Sequence, residues 1–187
     1  MRSHFQWIVS LLLAFLGALL LASPLLAEPP QAAFGFKGAV SGFPTGAVFL
    51  TGGGAYDLAT SFVNSAGGFR CLEDVEQGPL SVSINPDDPG SCLAGEGVRW
   101  DAADVAPLLP SFQFKCTGAT DEALKTVVTD GNTVVMIADF YRQGDGNEES
   151  FTARMFVSAD DEALDLPGIQ NVWIQGLGCA NAIVNFN

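Results

Sequence analysis

Histidine is almost missing from this chain: among 187 residues there is one, His4, and it sits in the apolar N-terminal segment. Histidine is the commonest general base, the usual activator of a Ser or Cys nucleophile and the commonest protein metal ligand. Its absence from the rest of the chain excludes triad hydrolases and His-ligated metalloenzymes. Positive charge is scarce as well, with 8 Lys and Arg against 21 Asp and Glu. That balance repels nucleic acids, whose binding draws on basic side chains displacing counterions from the phosphates, and it disfavours anionic membrane surfaces. A charge so far from zero suits a soluble monomer. No two of the four cysteines, Cys71, Cys92, Cys116 and Cys179, have CxxC spacing, so a zinc site would need four thiolates converging from distant loops. Gly52-Gly53-Gly54 is followed by no Lys-Ser/Thr pair and sits in no βαβ pattern, which excludes a nucleotide loop.

There is one long apolar run, residues 8–21, preceded by Arg2 and followed by Ser23-Pro24. It falls short of the roughly 20 apolar residues of a membrane span and has the layout of a secretory signal, with Ala27 at the cleavage point. The first cysteine is as far on as Cys71, which argues against a lipoprotein anchor, and a lone Arg is not a twin-arginine signal. Removing residues 1–27 takes away Arg2, His4 and no acid, leaving 8 − 1 = 7 bases against 21 acids, a net charge of −14. The expected protein is therefore secreted, or periplasmic as the alternative, and does not touch a membrane once processed. In that setting four cysteines imply two disulfides. Three pairings exist, and the preferred one joins Cys71 to Cys92 and Cys116 to Cys179.

Residues 28–33 form a short leader, and 34–187 are expected to make one domain. Apolar stretches recur there between Gly, Pro, Asn and Asp clusters, at 34–40, 47–56, 61–72, 80–84, 97–100, 111–117, 124–129, 132–142, 151–158, 171–176 and 182–186. These read as strands, with helix limited to short turns at 101–109 and 160–164. The fold class is all-β: an antiparallel barrel of about 8–11 strands, with a two-sheet sandwich as the alternative. Asp130-Gly131 signals a type I′ hairpin between 124–129 and 132–142. A second hairpin joins 132–143 to 150–158, making a three-stranded meander. Val134, Met136, Ala138 and Phe140 share a core face with Phe151, Ala153, Met155 and Val157, because side chains alternate along a strand.

The opposite face of that hairpin mixes apolar and polar groups. With Gln143 paired to Ser150, Asp139 lies opposite Arg154 and Tyr141 opposite Thr152. Asp139, Tyr141 and Arg154 are then either a solvated ion pair with a neighbouring phenol or the polar part of a ligand pocket. Gly144-Asp145-Gly146-Asn147-Glu148-Glu149 has the oxygen-rich look of a calcium loop, with Asp145, Asn147 and Glu149 as ligands, although it lacks the length of an EF-hand. Apart from Ca²⁺, no cofactor is expected. Glu96 and Asp139 lie in or beside apolar strands, where burial would raise a carboxyl pKa. Trp100 beside Arg99, and Trp173, read as structural or as sugar-stacking groups. These features favour an exported, non-catalytic β domain that binds a small ligand or a surface partner. The alternatives are a carboxylate-dependent enzyme acting on carbohydrate or a small cyclisable substrate, and a structural envelope or extracellular protein.

Overall fold

A computed structural model describes residues 32–41, 46–74, 94–102, 108–141 and 151–187. The expected signal peptide, the leader up to residue 31, the strand at 80–84, Cys92 and the calcium-loop residues Asp145, Asn147 and Glu149 lie outside the described residues. The strands are β1 (Ala32–Ser41), β2 (Ala47–Asp57), β3 (Phe62–Cys71), β4 (Gly97–Ala102), β5 (Ser111–Phe114), β6 (Lys125–Val128), β7 (Thr133–Tyr141), β8 (Phe151–Ser158), β9 (Val172–Ile174) and β10 (Gly178–Phe186). Eight of them close into a barrel in the order β1-β10-β9-β8-β7-β4-β3-β2, with β2 returning to β1, and every neighbouring pair is antiparallel. The sandwich alternative is excluded. The remaining strands, β5 and β6, pair only with each other and form a flap.

An eight-stranded barrel has an interior that side chains can just fill. Here they do: Val40, Leu50, Tyr56, Trp100, Met136, Phe140, Met155 and Ile174 all point inward and are fully buried. Inward Phe34, Phe36, Tyr56 and Phe186 form a connected set of ring contacts, and Phe36 continues it to Trp100 and Phe140. Buried polar groups are paired, as they must be to offset desolvation. The Asn171 amide exchanges two hydrogen bonds with the backbone of Ala182, at 2.8 and 3.0 Å, and so continues the β9–β10 ladder. The Tyr56 hydroxyl donates to the Asp130 carbonyl at 2.7 Å.

A second apolar cluster lies outside the barrel wall. Phe112, Phe114 and Val127 on the inner side of the flap pack on Val135, Phe156 and Trp173, which point outward from β7, β8 and β9. Each such buried side chain contributes about 1.5–3 kcal/mol, so the flap is a stable part of the fold. Cys116, just past β5, is bonded to Cys179 on β10. Cys71 is also disulfide-bonded, at a fully buried position of β3, while its expected partner Cys92 is outside the described residues.

Several local expectations change. β6 does not pair with β7, so the three-stranded meander does not form. Neither Asp130 nor Gly131 adopts positive φ, so the loop is not a type I′ turn. Instead the Asp130 carboxylate accepts the Asn132 N–H at 2.8 Å, and the Asp130 N–H donates to the Thr133 carbonyl. β6 is left free to fold over the outside of the wall with β5. In the β7–β8 hairpin Asp139 faces Thr152 and Arg154 faces Ile137, two residues out from the expected register. A shift of two preserves the faces, and Val134, Met136, Ala138, Phe140, Ala153, Met155 and Val157 are all core. β1 starts two residues into the expected leader because Ala33 and Asn187 exchange both backbone hydrogen bonds. Asp101 and Ala102 extend β4 where a helical turn is expected.

Candidate functional site

Among the described residues the barrel interior is filled, and the grooves open to a ligand lie on the outside. Outward positions on β7 and β8 alternate with core positions, which places Asp139 and Arg154 on the outer wall. Asp139 is half-buried between Asp101 of β4 and Thr152 of β8, and Arg154 is exposed. Tyr141 ends β7 opposite Arg99, and its side chain is outside the described residues. The register shift therefore moves Arg154 away from Asp139 and toward the edge of the flap.

There Arg154 lines an open groove of about 490 Å³ together with Leu109, Ser111, Phe112, Gln113, Leu124 and Ile137. One wall is barrel, the other flap. Leu109, Phe112, Leu124 and Ile137 are apolar, and Leu124 is 56% exposed, which marks this rim as unfilled. Ser111 and Gln113 supply neutral hydrogen-bonding groups. Among the described residues Arg154 makes no ion pair, although the chain has far more acids than bases. Its backbone N–H is held by the Gln175 side chain at 3.3 Å. A volume of this size falls in the range of small-ligand sites, which combine apolar walls with a few oriented polar groups.

The flap residues of this groove escape the sequence reading because 124–129 reads as part of the meander. Their signal is nonetheless present. The segment from 134 to 136 and the one from 155 to 157 are apolar on both faces, and a wall exposed on one side would not be. Ser111-Phe112-Gln113-Phe114 alternates cleanly enough to supply the missing cover.

A second cavity, about 300 Å³, lies on the other side of the flap. Ser41, Thr117, Gln170 and Asn181 line it, and so do both bonded cysteines, Cys116 and Cys179. Beside it the Glu122 side chain is 4% exposed and that of Lys125 10%, and they form an ion pair at 2.9 Å, with Asp165 on the other side of Lys125 at 3.0 Å. Burial alone would raise the Glu122 carboxyl pKa. Hydrogen bonds from the Thr117 hydroxyl, the Cys116 N–H, the Lys125 ammonium and the Thr117 N–H more than offset it and hold the pKa at about 2. A carboxyl held so low is ionised near neutral pH and cannot serve there as a general acid. Its geometry is that of a tie closing the 116–125 loop.

Neither tryptophan is free to stack on a sugar. Trp100 is fully buried inside the barrel and donates from Nε1 to the Thr51 carbonyl at 3.1 Å, and Trp173 is buried under the flap and donates to the Lys115 carbonyl at 2.8 Å. Among the described residues no three His, Cys, Asp or Glu side chains converge as a metal site would require. The buried Cys116–Cys179 bond is consistent with an oxidising compartment. The chain matches no protein-family model, no curated protein and no solved structure.

Proposed function

We propose that this chain is an exported, non-catalytic binding domain, and that its ligand is a small amphipathic anion held in the groove between flap and barrel. One observation carries this: Arg154, without an ion pair among the described residues, stands at the rim of a groove walled by Leu109, Phe112, Leu124 and Ile137. A guanidinium offers a fork of donors that fits a carboxylate or a similar oxyanion, while the apolar walls take a hydrocarbon or ring. Gln113 and Ser111 supply further hydrogen bonds. Export agrees with the signal-like residues 1–27 and with the disulfide.

The test uses the processed chain and two probes, dodecanoate and the fluorescent anion anilinonaphthalene sulfonate, which should compete for one site. Arg154→Ala is expected to weaken both by about tenfold or more, since a hydrogen bond to a charged group contributes about 1.5–3 kcal/mol. Arg154→Lys should recover part of that loss. Ile137→Asn should weaken the probes without changing the fold. Equal binding by wild type and Arg154→Ala would overturn the assignment. Native mass spectrometry of protein taken from its own host would identify a retained ligand directly.

A further inference from the structure

The flap is fixed to the barrel at its two ends by different chemistry. Where β5 begins and β6 ends, a backbone hydrogen bond joins it to β7, from the Leu109 N–H to the Val135 carbonyl at 2.9 Å, and within the flap the Thr129 N–H donates to the Pro110 carbonyl at 2.9 Å. The Thr129 hydroxyl accepts the Val135 N–H at 3.2 Å and ties the same corner. The far end has no such ladder. Past Phe114 it is held by the Cys116–Cys179 bond, by the hydrogen bond from Trp173 to Lys115 and by the ion pair between Lys125 and Asp165 at 3.0 Å. One end is thus a hinge and the other a single covalent pin.

The pin is approachable. Cys116 and Cys179 are mostly covered, at 2% and 5% exposure, yet both line the 300 Å³ cavity, whose other walls are uncharged, with Ser41, Thr117 and Asn181 beside the apolar Leu166. A thiolate entering that recess meets the disulfide with no charged side chain among the residues lining the way. Cys71 differs: it is 0% exposed and part of the barrel core. Access is a main determinant of which disulfides exchange.

We propose that Cys116–Cys179 is a thiol-reducible latch, and that its reduction lets the flap swing on the Leu109–Thr129–Val135 corner and uncover Phe156 and Trp173. The reductant is a dithiol. One of its thiolates attacks a cysteine sulfur, the S–S bond breaks, and the other cysteine leaves as a thiolate that takes up a proton. The second thiolate of the reductant then attacks the mixed disulfide, leaving Cys116 and Cys179 as two thiols and the reductant as a disulfide. Two electrons and two protons pass to the protein. The latch does not depend on what occupies the groove, although opening it removes one groove wall, the one carrying Phe112, Gln113 and Leu124.

The experiment titrates the processed protein with dithiothreitol under native conditions. It reads cysteine alkylation by mass spectrometry, tryptophan emission, and amide exchange over residues 111–128. Cys116 and Cys179 should become alkylated at about a tenfold lower dithiothreitol concentration than Cys71. Emission should shift to the red in step with that alkylation, and flap amides should exchange about tenfold faster while β1–β2 amides stay protected. The double substitution Cys116→Ser with Cys179→Ser should show fast flap exchange without reductant, and Trp173→Phe should abolish the emission shift. Alkylation of all four cysteines together, only upon global unfolding, would overturn the latch. So would reduction that leaves flap exchange unchanged. Should Trp173→Phe not fold, exchange in the wild-type chain decides the matter alone.

Discussion

Gly52 and Gly67 face each other across β2 and β3, with the Trp100 indole lying over both. A Cβ added at Gly52 would overlap the Trp100 ring, and one at Gly67 would overlap the Thr51 carbonyl oxygen, which accepts the indole N–H. The two glycines thus make room for the largest side chain of the core. Gly52→Ala should cost about 1–3 kcal/mol in urea unfolding, the usual range for overpacking. Trp100→Phe should recover part of that loss in the double variant and less of it for Gly67→Ala, where backbone atoms of Thr51 and Gly52 obstruct the Cβ as well as the indole. A destabilisation by Gly52→Ala that is the same in the Trp100→Phe background would contradict this account. Glu122 gives a prediction in pH. Its folded pKa of about 2 lies below the ordinary 4.5, so the folded state binds the proton less tightly than the unfolded state. The stability it contributes is full above about pH 4.5 and is lost as pH falls toward 2. Glu122→Gln should therefore be less stable than wild type at neutral pH, with the gap closing between pH 5 and pH 2 in chemical denaturation. At this scale the sequence shows that glycines interrupt apolar strands, but not which ring fills the space they leave.

Strand existence was legible because many strands alternate apolar and polar residues between strong turn formers, as in Phe112 and Phe114 against Ser111 and Gln113. Partner choice was not. Asp130-Gly131 is a hairpin signal that presumes its flanking strands belong to one sheet, and that presumption fails when the outer wall also needs cover. Val135, Phe156 and Trp173 compete for β6 from outside the barrel and win, because leaving them wet would forfeit the burial of three large side chains. Register in the β7–β8 hairpin was off by two for a related reason: hydrophobic alternation fixes only its parity, and the intervening loop must fix the rest. The candidate site depended on both unknowns, so Arg154 was legible as a residue while its flap neighbours were not. The flap itself is testable as an element. Phe114 is 2% exposed and contacts Phe112, Phe156 and Trp173. Phe114→Ala should cost about 3–5 kcal/mol if flap and barrel unfold together. If the flap instead detaches locally, emission from Trp173 should redden with little change in the global transition, and the two outcomes separate one cooperative unit from two.

Closure organises the whole molecule. A sheet of eight strands left open would carry two unpaired edges, each a template for aggregation, and here β1 and β10 seal them through seven register pairs from Phe34 with Phe186 to Val40 with Ala180. Among the described strands the two that seal the barrel are the farthest apart in sequence, so closure carries a large loop-closure cost and is expected to be slow in folding. Val184 and Phe186 carry the consequence. Phe186 meets the rings of Phe34 and Tyr56, and both it and Val184 pack against the barrel core. Deleting residues 183–187 therefore removes the side chains that lock β10 to β1 and exposes the β1 edge at the same time. The truncated chain is expected to lose several kcal/mol of stability, by analogy with large-to-small changes in a packed core, and to associate as its concentration rises. A gentler variant separates the two effects. Phe186→Ala keeps the backbone ladder and should be destabilised yet remain monomeric by size-exclusion chromatography, whereas Ile183→Lys, at a position 62% exposed on the outer wall, should change neither property. Were the truncated chain to stay monomeric with an unchanged unfolding midpoint, β10 would not be what closes the barrel, and the edge argument would have to be abandoned.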